Sequence, residues 1–123
     1  MTKSERQDIL ERTKDFALRI VRLYTSLPKR TEAQVLGKQL LRSGTSVGAQ
    51  LREGKRSRSD AEMISKIESA LQELEETGYW LELLAEAGIV EKHLLADLHR
   101  EANELTAILV TSVKTLKARR KRK

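Results

Sequence analysis

Gln39-Leu40-Leu41-Arg42-Ser43-Gly44-Thr45-Ser46-Val47-Gly48-Ala49-Gln50-Leu51-Arg52-Glu53-Gly54-Lys55-Arg56-Ser57-Arg58-Ser59 is the stretch whose reading decides the fold. Its first half sets Ser43, Gly44, Val47, Gly48 and Leu51 at helical spacing, so a helix here offers a flat face of small residues on which a second helix packs closely. Glycine in a helix interior costs roughly 1 kcal/mol relative to alanine. Two of them in one helix imply that close backbone approach outweighs propensity. Gly54 then reads as a helix C-cap, and Lys55, Arg56 and Arg58 follow it before Ser59 opens a new helix. A tightly packed helix ends in a basic corner.

On the N-terminal side, Ile9, Thr13, Phe16, Ala17, Ile20, Leu23, Tyr24 and Leu27 recur three or four apart from about Ser4 to Ser26, which is an amphipathic helix. Leu27-Pro28-Lys29-Arg30 breaks it, because proline lacks an amide proton and biases its predecessor away from helix. Thr31 followed by Gln34 has capping-box spacing and predicts the start of the second helix, with Leu36, Leu40, Ser43, Gly44, Val47 and Leu51 on one face as far as about Glu53. Ser59 and Glu62 repeat that spacing. The third helix carries Met63, Ile64, Ile67, Ala70, Leu71, Leu74, Leu81, Leu84 and Ala85 to Gly88, and its outer face is acidic. A fourth carries Leu94, Leu98, Ala102, Leu105, Leu109, Ser112 and Leu116 before it dissolves into a Lys/Arg run. No alternating strand pattern competes. Helices of this length span about 35 to 40 Å, and with short turns they predict an all-α, antiparallel up-and-down four-helix bundle over residues 1–118 with a basic tail at 119–123.

Function classes narrow by exclusion. The 123 residues make one domain and contain no cysteine, which removes disulfides, thiolate metal sites and a cysteine nucleophile and suits the cytoplasm. No segment approaches the roughly 18 apolar residues of a membrane span, so no membrane partner is expected. His93 and His99 lie on different faces of one helix, and no Glu-x-x-His is present, so a bundle metal site is not expected. Gly44, Gly48 and Gly54 lack the spacing of a phosphate loop. Tyr79-Trp80, the one aromatic pair, suits core or interface packing. Neither an enzyme nor a cofactor is expected.

Charge carries more. The net +6 conceals three blocks: residues 1–58 carry +8, residues 59–118 carry −7, and Arg119 to Lys123 carry +5. Such polarity suits a polyanionic partner, assembly of basic against acidic surfaces on neighbouring copies, or both. Bundle topology puts the end of helix two and the end of helix four at the same pole. Lys55, Arg56, Arg58, Arg119, Arg120, Lys121, Arg122 and Lys123, extended by Arg52 and Lys117, are therefore the candidate nucleic-acid contacts, binding phosphate without sequence readout. A terminal Lys/Arg run also serves as a solvated tail, and both readings fit this composition.

The motifs Gln39 to Ala49, Ser59, Lys66 and Glu73-Leu74-Glu75-Glu76-Thr77-Gly78-Tyr79-Trp80-Leu81-Glu82-Leu83-Leu84 resemble the bacterial 23S ribosomal RNA intervening-sequence proteins, and the resemblance extends over essentially the full chain. The chain departs from that family's pattern at Gln50, Gly54 and Met63, where Asn, Ala and Phe are usual. The resemblance implies a four-helix bundle without enzymatic activity that forms a homopentameric ring. It also implies similarity to accessory proteins of diversity-generating retroelements, which bind a reverse transcriptase and nucleic acid. A ring fits the charge pattern, since a heterologous contact between basic and acidic faces can close. Arg19, Arg22, Lys38 and Arg42 are the expected donors, and Glu68, Glu75, Glu76 and Glu82 the expected acceptors. The leading expectation is a homo-oligomer that binds RNA or another nucleic acid. The rival is a protein-binding adaptor, such as an accessory subunit of a reverse transcriptase.

Overall fold

The computed structural model describes residues 2–122, in four helices: α1 (Lys3–Ser26), α2 (Thr31–Lys55), α3 (Asp60–Glu86) and α4 (Lys92–Lys121). Each helix packs on the next in sequence, and α1 and α4 complete the circuit with the weakest of the four contacts. The result is an antiparallel up-and-down bundle that is least tightly closed along its α1/α4 side.

Local chemistry sets the helix boundaries, twice differently from what the spacing predicts. At the start of α1, the Thr2 hydroxyl accepts from the Glu5 amide at 3.1 Å while the Glu5 carboxylate accepts from the Thr2 amide, a reciprocal capping box. The box expected at Thr31 and Gln34 does not form: Arg30 is the N-cap, without a side-chain cap, and Thr31 is already helical. Gln34 instead donates from Nε2 to the Pro28 carbonyl at 2.8 Å and accepts from the Tyr24 hydroxyl at 3.2 Å. Its amide serves both ends of the α1–α2 turn, a use that a local capping rule does not anticipate. Ser59 caps α3 as expected, accepting from the Glu62 amide at 3.2 Å, while the Glu62 carboxylate accepts from the Arg58 amide at 2.9 Å. Between α3 and α4 the chain turns at Gly88, whose φ of 72° is the left-handed conformation that favours glycine.

Gly54 is the second correction. It is a buried residue inside α2, and a Cβ there would lie 3.2 Å from both Lys66 Cβ and Met63 Sδ of α3. Helical geometry persists to Lys55 because this glycine serves contact with α3, not chain reversal. The small-residue stretch accordingly has two faces. Gly37, Gly44 and Gly48 face α1, where added Cβ atoms would meet Leu27, Ile20 and Thr13 respectively. Ser43 and Gly54 face α3.

Between α2 and α3 the buried Thr77 hydroxyl donates to its own helix at the Glu73 carbonyl, 2.7 Å away, and lies 2.9 Å from the Ser43 hydroxyl. Buried Thr13 likewise donates to the Ile9 carbonyl at 2.9 Å, so neither hydroxyl is left without a partner in the core. Phe16, Ile20, Leu40, Val47, Leu81, Leu84, Leu105 and Leu109 form the fully buried centre. The phase of α4 starts differently from the expected one. Leu95 is buried, and Leu94 is 64% exposed, because the stripe runs through Leu95, Leu98, Ala102 and Leu105. Among the described residues no helix is long and apolar enough to cross a membrane.

Candidate nucleic-acid interface

One pole of the bundle gathers the start of α1, the end of α2, the start of α3 and the end of α4. Between them lies a cleft of about 290 Å³, rimmed by Arg6, Lys55, Arg58 and Arg119 and floored by Leu10, Leu51, Met63 and Leu116 among others. Arg119 Nε donates to Asp60 Oδ2 at 2.9 Å, joining the last turn of α4 to the first turn of α3. The hydrogen bond to Asp60, and then its charge, raise the Arg119 pKa, so this guanidinium stays cationic. Asp60 at the start of α3 also lies where a carboxylate complements the helix dipole.

Three acids at this pole are engaged. Glu53 pairs with Lys66, Glu62 caps the α2–α3 loop, and Asp60 accepts from Arg119. Arg6, Lys55, Arg56 and Arg58 make no ion pair among the described residues, and all four are exposed. Arg52 is exposed on the last turns of α2, while Arg120, Lys121 and Arg122 are exposed at the end of α4. The fourth helix does not dissolve at Lys117. Residues 119 to 121 are its last turn, which fixes the direction in which their charges project. Lys117 is engaged, donating to Glu68 at 3.3 Å, and Lys123 lies outside the described residues. Arg6 was not among the expected contacts. The signal for it was available, since an up-and-down topology returns the start of α1 to the pole where α2 and α4 end.

The expected subunit contacts divide in two. Arg42 bonds Glu73 at 3.1 Å and also Glu76 within its own chain, stitching α2 to α3 midway along the bundle. The hydrogen bond to Glu76 is the main cause of its raised pKa. Glu68 is held by Lys117 of α4. Arg42, Glu68 and Glu76 thus have partners inside the monomer because antiparallel neighbours set them side by side. Arg19, Arg22, Lys38, Glu75 and Glu82 make no ion pair among the described residues. Glu75 and Glu82 border a groove between α3 and α4 that contains Gly78, Tyr79, Asn103, Thr106 and Val110. A Cβ at Gly78 would meet nothing within 4 Å, and Tyr79 is 54% exposed. Tyr79 meets the half-buried Trp80 edge to face, with ring centroids 5.1 Å apart. The outer face of α1 exposes Leu18 and Val21 beside Arg22. No group of three or more His, Asp or Glu side chains suited to a metal ion occurs among the described residues.

These features define a four-helix bundle protein with a cleft at a cationic pole. The chain belongs to the 23S rRNA-intervening sequence protein family, whose profile matches residues 5–111. Among solved structures it is similar to a protein of unknown function from the S23 ribosomal protein family of Bacteroides thetaiotaomicron VPI-5482, with 36% identity and a TM-score of 0.84 over 89% of this chain and 97% of that one. No curated protein matches it. The profile match ends before the last turns of α4, so Arg119 to Arg122 lie beyond it.

Proposed function

We propose that the chain is a non-enzymatic, cytoplasmic, homo-oligomeric bundle that binds RNA or another nucleic acid through its cationic pole. The observation that carries this reading is the convergence of Arg6, Lys55, Arg58 and Arg119 around one cleft, with three of the four making no ion pair among the described residues. Cations without a carboxylate partner are those whose neutralisation of phosphate releases counterions, which makes binding salt-dependent and indifferent to sequence.

The test is binding to a structured RNA across a salt series. The expected result is a log–log slope that falls by roughly 2 in the double variant Lys55→Gln, Arg58→Gln, since each phosphate contact contributes about 0.9. An affinity that ignores salt, or a slope that the double variant leaves unchanged, removes the cationic pole from the function.

Self-association has its own support. The groove between α3 and α4 combines exposed Tyr79, open space at Gly78 and the unpaired Glu75 and Glu82. The outer face of α1 offers Leu18 and Val21 with Arg19 and Arg22. The two surfaces offer the apolar and oppositely charged groups that a heterologous contact requires, and such a contact gives a ring such as a pentamer where its rotation closes. The same groove is the surface an adaptor would offer to a reverse transcriptase. A groove already filled by a second copy would compete with that partner.

A further inference from the structure

The cationic pole has more shape than phosphate binding requires. Salt-dependent binding of a polyanion needs only exposed lysine and arginine. Here the cations surround a hollow of about 290 Å³ whose floor includes Leu51, 7% exposed, and the half-buried Met63 and Leu116. Phosphate does not bury itself on leucine and methionine, so the floor calls for an apolar surface attached to the anion.

Ser57, Ser59 and Asp60 line the same hollow; Ser59 accepts from the Glu62 amide and Asp60 from Arg119, whereas the Ser57 side chain makes no hydrogen bond among the described residues. A hydrocarbon chain would cover the floor but take water from the Ser57 hydroxyl without offering it a partner, which is unfavourable. A planar heteroaromatic ring suits both. Such a ring offers an apolar face to Met63 and Leu116 and a polar edge to the Ser57 hydroxyl, and it carries a phosphate of the charge that Lys55 and Arg58 attract. In a duplex each base is stacked and paired, and bringing one into the hollow requires extruding it first. An unpaired nucleotide enters without that cost.

We propose that the cleft takes one unpaired nucleotide, so that the chain prefers single-stranded or looped nucleic acid to duplex. This rests on the nucleic-acid reading above and specifies the form it takes.

The experiment compares the full chain's affinity for a short labelled single-stranded RNA and for a blunt duplex of the same sequence at one salt concentration. The expected result is tighter binding of the single strand by about tenfold or more, the scale of the unstacking and unpairing cost that a duplex bears to extrude one base. Leu116→Trp, which fills the hollow, should bring that ratio close to one. Met63→Gln, of similar length and without added bulk, should lower the ratio roughly threefold, because it removes part of the apolar surface offered to the ring. Circular dichroism establishes that each variant keeps its helices. Equal affinity of the unaltered protein for both forms, or a ratio that neither variant moves, overturns the cleft assignment and leaves the cationic pole standing. Failure to bind either form overturns both readings. Competition of the single strand by dodecanoate but not by adenosine 5′-monophosphate gives the hollow to an acyl carboxylate and likewise overturns the proposal.

Discussion

Glycine acts in three different ways along this chain. At Gly44 an added Cβ would lie 2.7 Å from Ile20 Cγ1 and 2.9 Å from Cγ2, and Ile20 is a fully buried β-branched side chain with little rotamer freedom. Overpacking of this sort costs about 1–3 kcal/mol, against which helix propensity returns only about 1. At Gly78 nothing lies within 4 Å, so the propensity gain stands alone. Urea unfolding at matched chain concentration should therefore show Gly44→Ala destabilised by up to about 2 kcal/mol and Gly78→Ala stabilised by up to about 1 kcal/mol. Equal effects would mean that α1 yields at Ile20. The third way is conformational, at Gly88, where the backbone itself is left-handed. Spacing in the sequence marks Gly44 and Gly48 as helical contacts. It does not separate Gly54 from a C-cap, because a glycine before a basic run has the same local appearance in either role, and only Met63 and Lys66 of α3 distinguish them.

At the scale of the element, α4 is instructive because its last turn is rich in like charges, Arg119, Arg120 and Lys121, which local repulsion and fraying ought to loosen. Cations at a helix C-terminus complement the dipole, and Arg119 is in addition bonded through Nε and Nη2 to Asp60 of α3. Hydrogen exchange should show Asp60→Asn lowering protection in the last turn of α4 while the midpoint of global unfolding stays almost unchanged, since the pair joins two helix ends and its guanidinium is exposed. The guanidinium's dependence on pH has a definite sign. Its folded pKa is raised, so its contribution is complete below the ordinary arginine pKa and is lost only as pH rises through the higher folded value. From about pH 6 to pH 9 titration of Arg119 should leave the protection factor of that turn unaltered. The sequence reads this segment as a tail, because composition shows the charges but not the carboxylate waiting fifty-nine residues away in the chain.

For the molecule as a whole, the charge blocks sort into separate surfaces. The cationic pole faces along the bundle axis, whereas Glu75 and Glu82 lie on its side at the groove between α3 and α4. Nucleic-acid binding and self-association thus call on different residues and should separate by mutation. Tyr79→Ala combined with Glu82→Lys should lower the particle mass measured by light scattering, with single-site RNA affinity retained, and Lys55→Gln with Arg58→Gln should do the reverse. A mass unchanged by the groove variant in both low and high salt would remove that groove from the assembly. Arg42, by contrast, is spent inside the monomer on Glu73 and Glu76.

The sequence by itself determined the number of helices, their turns at Pro28, Ser59 and Gly88, most of the apolar stripe and the pole to which the basic runs belong. These depend on periodicity, capping and chain direction, which are local properties of neighbouring residues. Tertiary structure alone decided that Gln34 straps a turn in place of capping a helix and that Leu95 and not Leu94 enters the core. It alone decided which charges are free, since Arg42, Lys117 and Arg119 each find a carboxylate on an adjacent helix. The reason is physical: a charge or a polar side chain takes whichever partner packing brings within about 3 Å, and across an antiparallel bundle that partner is distant in sequence.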